Sequence, residues 1–240
     1  MLKYCCRIFV LLLAGGFLLT APAQGETEPG YTAIFDGTDI NGFRYYDTNQ
    51  PPKGILQRQA ETPDKRFHVQ DGNLVLAARD KDKKAPAKDL TTIREFGKDF
   101  ILKLDFKAAN EGNAFILVRG APIQVADFVR RNDPYRPGKG FKTDDWNSVE
   151  ITIKMTVSAA GRTLTEADTL TSGFANGKAT AKLNGEDVDP NGVYFRVHAF
   201  AKCNNEPYWV NPVLPSKGTI GIRTGSGKIE FRNIRFKELP

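Results

Sequence analysis

His68 and His198 are the only histidines in the 240-residue chain, too few for a three-histidine zinc site, and no His-Glu-x-x-His motif occurs. Zinc hydrolysis is disfavoured. Gly-x-Ser-x-Gly and P-loop motifs are absent as well, so serine-hydrolase and nucleotide chemistry have no support. Cys203 forms no recognisable motif with either histidine and reads as a buried or half-buried thiol, not a nucleophile. Glycoside hydrolases need two carboxylates flanking one bond, and sandwich enzymes often set them out alternately along a strand. The nearest match is Glu166-Ala167-Asp168, which lacks a third acidic residue at Leu170 or Thr171 and reads as a solvated edge or loop.

The elements that would have to position any site are strands. Phe100, Leu102, Leu104 and Phe106 alternate with Ile101, Lys103, Asp105 and Lys107, and Val149, Ile151, Ile153 and Met155 do the same against Ser148, Glu150, Thr152 and Lys154. Further strands are expected at Thr32–Phe35, Phe67–Gln70, Asn73–Ala77, Thr91–Glu95, Asn113–Arg119, Ile123–Asp127, Lys178–Leu183, Val193–Ala201, Thr219–Arg223 and Lys228–Lys237. Asp71-Gly72, Asn184-Gly185 and Ser226-Gly227 supply turns. No segment holds a helical apolar period. The expectation is an all-β, two-sheet jelly-roll sandwich forming one domain from Tyr31 to the C-terminus. Three irregular stretches, 45–65, 128–145 and 202–217, carry Tyr45, Tyr46, Tyr135, Trp146, Tyr208 and Trp209 at or near their ends. Such aromatics can stack on a sugar ring or cap the core edge.

Lys3 and Arg7, the 12-residue apolar run from Ile8 to Leu19, and Ala21-Pro22-Ala23 form the three regions of a secretory signal peptide, followed by a polar lead-in over 24–30. The run is well short of the roughly 20 residues that span a bilayer. The protein is expected to be secreted or periplasmic, with no membrane span. Cleavage after Ala23 would leave 32 basic against 28 acidic residues, and Cys203 as the only cysteine, so that no internal disulfide could form. The basic residues are scattered, which argues against a nucleic-acid stripe.

Several segments together carry a resemblance: Ile34-Phe35-Asp36-Gly37-Thr38-Asp39-Ile40-Asn41-Gly42-Phe43, Phe67-His68-Val69-Gln70-Asp71-Gly72-Asn73-Leu74-Val75, Glu95-Phe96-Gly97-Lys98-Asp99-Phe100, Gly112-Asn113, Val118-Arg119-Gly120, Gln124-Val125-Ala126-Asp127, Trp146-Asn147-Ser148-Val149-Glu150-Ile151, Leu183-Asn184-Gly185-Glu186, and Ile220-Gly221-Ile222 with Phe231-Arg232-Asn233-Ile234. In order and spacing they resemble the 3-keto-disaccharide hydrolase domain. The resemblance implies a concanavalin A-like lectin/glucanase sandwich that cleaves glycosides already oxidised at C3. A ketone there acidifies the C2 proton, so a base removes it, the C1 substituent leaves by elimination, and water adds back. Such a site needs a general base near C2 and a cationic or hydrogen-bonding group for the enolate oxygen.

Among the matching positions, the resemblance implies Asp127 as the base or a metal-organising carboxylate and Arg119 as a clamp on the enolate or a hydroxyl. Asn113 and Gln124 would bind the sugar, with Arg223 and Trp146 beside them. Alternation would put Asn113, Phe115, Leu117 and Arg119 on one strand face. Arg119 and Asp127 read equally well as an ion pair bracing two strands. Where many family members have Tyr-Glu-Val-Gln and Leu-Gln-Asp-His-Gly, this chain has Ala121-Pro122-Ile123-Gln124 and Ile222-Arg223-Thr224-Gly225-Ser226. An acidic residue is thus missing at the first place, and a histidine and a further carboxylate at the second. A non-catalytic carbohydrate-binding module on the same fold therefore stays open. No cofactor is evident, a divalent metal stays open, and the expected partner is a carbohydrate or oxidised glycoside.

Overall fold

The structure, a computed structural model, describes residues 28–47, 54–78, 86–108, 112–125, 142–165, 167–176, 178–210 and 214–240. The leader at 1–23 and Asp127 lie outside them. Among the described residues no helix is long and apolar enough to cross a membrane.

Among the described residues, seventeen strands run in chain order: β1 Thr32–Ala33, β2 Phe43–Asp47, β3 Phe67–Gln70, β4 Asn73–Leu76, β5 Lys88–Phe96, β6 Phe100–Ala108, β7 Ala114–Val118, β8 Ala121–Gln124, β9 Trp146–Ala159, β10 Arg162–Thr163, β11 Leu170–Ala175, β12 Lys178–Leu183, β13 Glu186–Val188, β14 Tyr194–Cys203, β15 Glu206–Val210, β16 Gly218–Thr224 and β17 Ile229–Glu238. They form a large sheet in the order β15-β14-β9-β6-β17-β4-β3, with β1 beside β17 and β10 beside β9. A second sheet has the order β2-β5-β16-β7-β8, and a small one has β11-β12-β13. Every pairing among them is antiparallel.

The period-two pattern read from the sequence produces the core. On β6 the residues Phe100, Leu102, Leu104 and Phe106 are buried while their neighbours are half-buried. Val149, Ile151 and Ile153 of β9 and Phe231 and Phe236 of β17 join them from the large sheet. Phe43, Leu90, Ala114, Ile116, Val118, Ile123, Ile220 and Ile222 come from the five-stranded sheet. One apolar layer therefore lies between the two sheets and leaves one face of each turned outward. The hairpins close on turns of the expected kind: Asp71 and Gly72 have φ of 51° and 77°, and Asn184 and Gly185 have 54° and 88°.

Met155 departs from the expectation, being exposed instead of continuing the core face of β9. The stretch 45–65 is not wholly irregular, because β2 runs to Asp47, and β15 lies within 202–217.

Candidate functional site

Three positions implied as sugar-binding, together with residues the sequence did not single out, lie on one surface, the outward face of the five-stranded sheet. Since Ala114, Ile116 and Val118 point into the core, the alternate residues of β7, Phe115 and Leu117, belong to the other face. The register carries that face across all five strands. Tyr46 of β2 stands opposite Asp89 of β5, Asp89 opposite Arg223 of β16, Arg223 opposite Phe115 of β7, and Phe115 opposite Gln124 of β8. A second row, one pleat along, runs Arg44, Thr91, Gly221, Leu117 and Pro122. Asn113 precedes β7 by one residue, on the other side of the first row.

The centre of the first row is a two-pronged ion pair. Arg223 donates from Nε to Oδ1 of Asp89 at 2.8 Å and from Nη2 to Oδ2 at 2.9 Å. The Asp89 side chain is buried and that of Arg223 is 24% exposed, so the pair is anchored from below and open on the arginine side. These hydrogen bonds hold the Arg223 pKa above its ordinary value against the desolvation that opposes it. A planar fork gripped by one carboxylate has fixed direction and keeps N–H donors over. Tyr46 accepts a long contact of 3.5 Å from the Thr91 hydroxyl. At Gly221 an added Cβ would come within 2.4 Å of the Leu90 carbonyl oxygen, so only glycine fits there. Oδ1 of Asn113 is buried and has no hydrogen-bond partner among the described residues.

Arg119 does not share this face. It stands just after β7 with φ of 51°, and Gly120 follows at 80°, so the β7–β8 turn breaks the alternation on which the expectation rested. Its guanidinium donates to the carbonyls of Lys98 at 2.6 Å and Pro215 at 3.3 Å, and lies 5.6 Å from the centre of the Phe100 ring, a core residue. Only 3% of the residue is exposed, and burial lowers its pKa while the charge of Asp99 pushes back. This arginine ties together the β5–β6 turn, the β7–β8 turn and the approach to β16.

Trp146 also parts from the group. It begins β9 in the large sheet and shares the outward parity of Ser148 and Glu150, with the Arg232 guanidinium 3.8 Å from its ring centre. It therefore faces away from the opposite side of the sandwich. Tyr45 serves as a core-edge cap, with its hydroxyl on Asp64 at 2.6 Å and its ring edge-on to Phe67. Tyr135 lies outside the described residues.

Asp89 was missed by the sequence reading, which began the fourth expected strand at Thr91, and Tyr46 was named only as an aromatic of the irregular stretch 45–65. The available signal was the apolar Leu90 between Asp89 and Thr91, which continues the period-two pattern. Asp168, by contrast, is held inside its own loop. It accepts from Arg162 at 2.8 and 2.5 Å, from the Thr165 amide at 2.8 Å and from Asn184 at 3.0 Å. Those bonds, led by Arg162, lower its pKa well below the usual carboxylate range. Cys203 is buried, which pushes its thiol up to about 11. No group of three or more potential metal ligands is found among the described residues.

Among solved structures, the chain is similar to a candidate glycosyl hydrolase from Parabacteroides distasonis ATCC 8503, at 17% identity over 88% of this chain and 95% of that one, with a TM-score of 0.47. It is also similar to the carbohydrate-binding module CBM66 from Bacillus subtilis, at 11% identity over 82% and 96% of the two chains, with a TM-score of 0.32. No curated protein sequence matches it. Residues 30–237 match the family model of the 3-keto-α-glucoside-1,2-lyase-like domain, and the chain belongs to that family.

Proposed function

We propose that this protein is an exported enzyme that cleaves 3-keto-glycosides on the outward face of the five-stranded sheet. The observation that carries the reading is the row Tyr46, Asp89, Arg223, Phe115 and Gln124, with an arginine fork fixed at its centre by a buried carboxylate. Arg223 takes the role first assigned to Arg119. Its remaining N–H donors meet the C3 carbonyl oxygen and gain strength as that oxygen becomes an enolate. Phe115 offers an apolar surface to the sugar ring, while Gln124 and Asn113 hydrogen-bond its hydroxyls.

A base takes the C2 proton and the C2–H electron pair forms the C2–C3 double bond of the enolate. As the C3 carbonyl re-forms, that pair becomes the C1–C2 double bond and the C1–O bond breaks, the departing oxygen picking up a proton. Addition of water to the double bond completes net hydrolysis. Asp127, three residues after Gln124 in the chain, is the proposed base. Both oxygens of Asp89 accept from Arg223, which casts Asp89 as a positioning residue.

The commitment of Asp89 also favours a second reading, a carbohydrate-binding module that kept the surface without the base. Incubating the mature protein with a 3-keto-glucoside and its unoxidised parent separates the two, with Asp127→Asn as control. Release of the aglycone from the keto compound alone, lost in the variant, supports the enzyme. Binding of both sugars with no release from either makes it a module.

A further inference from the structure

The outward face of β14 carries a feature that the proposed site does not use. Its alternate residues Val197, Ala199, Ala201 and Cys203 are buried, so Tyr194, Arg196, His198, Phe200 and Lys202 point away from the core. Tyr194 is 57% and Phe200 51% exposed, on a sheet face where a phenyl ring gains nothing from burial. The His198 and Phe200 rings lie 6.3 Å apart with a 31° tilt, extending one flat surface. Arg196 makes no ion pair among the described residues, and Lys202 has only a 3.6 Å contact to Glu150. Lys154 stands opposite His198 on β9. The stripe from Tyr194 to Lys202 spans roughly 27 Å at about 3.4 Å per residue. It belongs to the large sheet and faces the side of the sandwich opposite Arg223.

We infer that this stripe is a second carbohydrate-binding surface, for an anionic polysaccharide whose rings stack on Tyr194 and Phe200 while its carboxylates or sulfates meet Arg196 and Lys202. Aromatic rings interleaved with cations at every second residue fit a chain that is flat, hydroxylated and charged at intervals. The charge, three cations (Arg196, Lys202 and Lys154) with one neighbouring carboxylate, is too sparse for a nucleic acid, whose binding draws on many phosphate contacts. The cations also interrupt the apolar surface that a membrane would need. The surface is independent of the proposed active site and stands whether or not that site is catalytic.

Affinity electrophoresis of the mature protein in gels containing polygalacturonate, dextran sulfate, unsubstituted dextran or duplex DNA tests this. Retardation by polygalacturonate, dextran sulfate or both is expected, the pattern identifying carboxylate or sulfate as the anion. Dextran and DNA should have no effect. Tyr194→Ala with Phe200→Ala should weaken the retardation at least fivefold, and Arg196→Gln with Lys202→Gln should abolish it. Circular dichroism should stay unchanged in both variants, because all four residues are exposed. No retardation by either charged polymer, equal retardation of the aromatic double variant, or equal retardation by DNA would overturn the assignment.

Discussion

Arg223 and Arg119 belong to neighbouring parts of one sheet, β16 and the turn that ends β7, yet their guanidinium groups have opposite surroundings. Arg223 lies within β16, one residue before its end and in regular register, gripped from one side by Asp89 and open on the other. Arg119 sits at a turn with positive φ, which swings its side chain onto backbone carbonyls against Phe100. The residue type is the same, but an arginine offered to a ligand needs its direction fixed and its donors left over. Two backbone carbonyls fix Arg119 inside the protein, where its Nε is buried without a partner, whereas one carboxylate fixes Arg223 and leaves its remaining donors on an open side.

The largest effect should come from removing the grip. Asp89→Ala leaves a partly buried guanidinium unpaired, and is expected to lower stability by about 3 kcal/mol and 3-keto-glucoside cleavage by at least a hundredfold. Chemical denaturation and initial rates measure the two. Full activity in Asp89→Ala would remove the distinction between the arginines. Arg119→Met comes next. It leaves two carbonyls short of donors and should lower stability by about 1–3 kcal/mol, with the rate per folded molecule unchanged. A fall in rate at unchanged stability would exchange the two roles.

Gly221→Ala sharpens the comparison from the middle of the face. The added methyl meets the Leu90 carbonyl, and the forced shift of β5 against β16 should cost about 1–2 kcal/mol and disturb the Asp89–Arg223 register, read as a raised KM. The smallest effect belongs to Trp146→Leu. Losing the stack with Arg232 is expected to lower stability by about 0.5–1 kcal/mol and leave cleavage untouched, as suits a residue on the opposite sheet.

The layered core was legible because burial repeats every second residue, and Phe100 to Phe106 or Val149 to Ile153 declare that period locally. The site was legible only in part. Asn113, Gln124 and Arg223 reach one face because β16 lies beside the β7–β8 hairpin, an adjacency of segments about a hundred residues apart that no local pattern encodes. Asp89 stayed hidden because aspartate is uncommon in strands and its partner lies 134 residues away. Arg119 could have been placed better, since Arg119-Gly120 between two apolar runs is itself a hairpin turn. For Trp146, its parity with Ser148 and Glu150 already pointed outward, but which of two sheets owned that face was written nowhere in its own segment.

Both sheets are completed by the end of the chain. β16 lies between β5 and β7, and β17 lies between β6 and β4 with β1 alongside, so the last two strands occupy interior places. During synthesis the earlier strands wait with unpaired edges until residues 218–240 arrive. Folding must then be late, dominated by long-range pairing and slow for the size of the domain. Truncation at Lys217 would leave two sheets split down the middle, exposed to intermolecular pairing and aggregation.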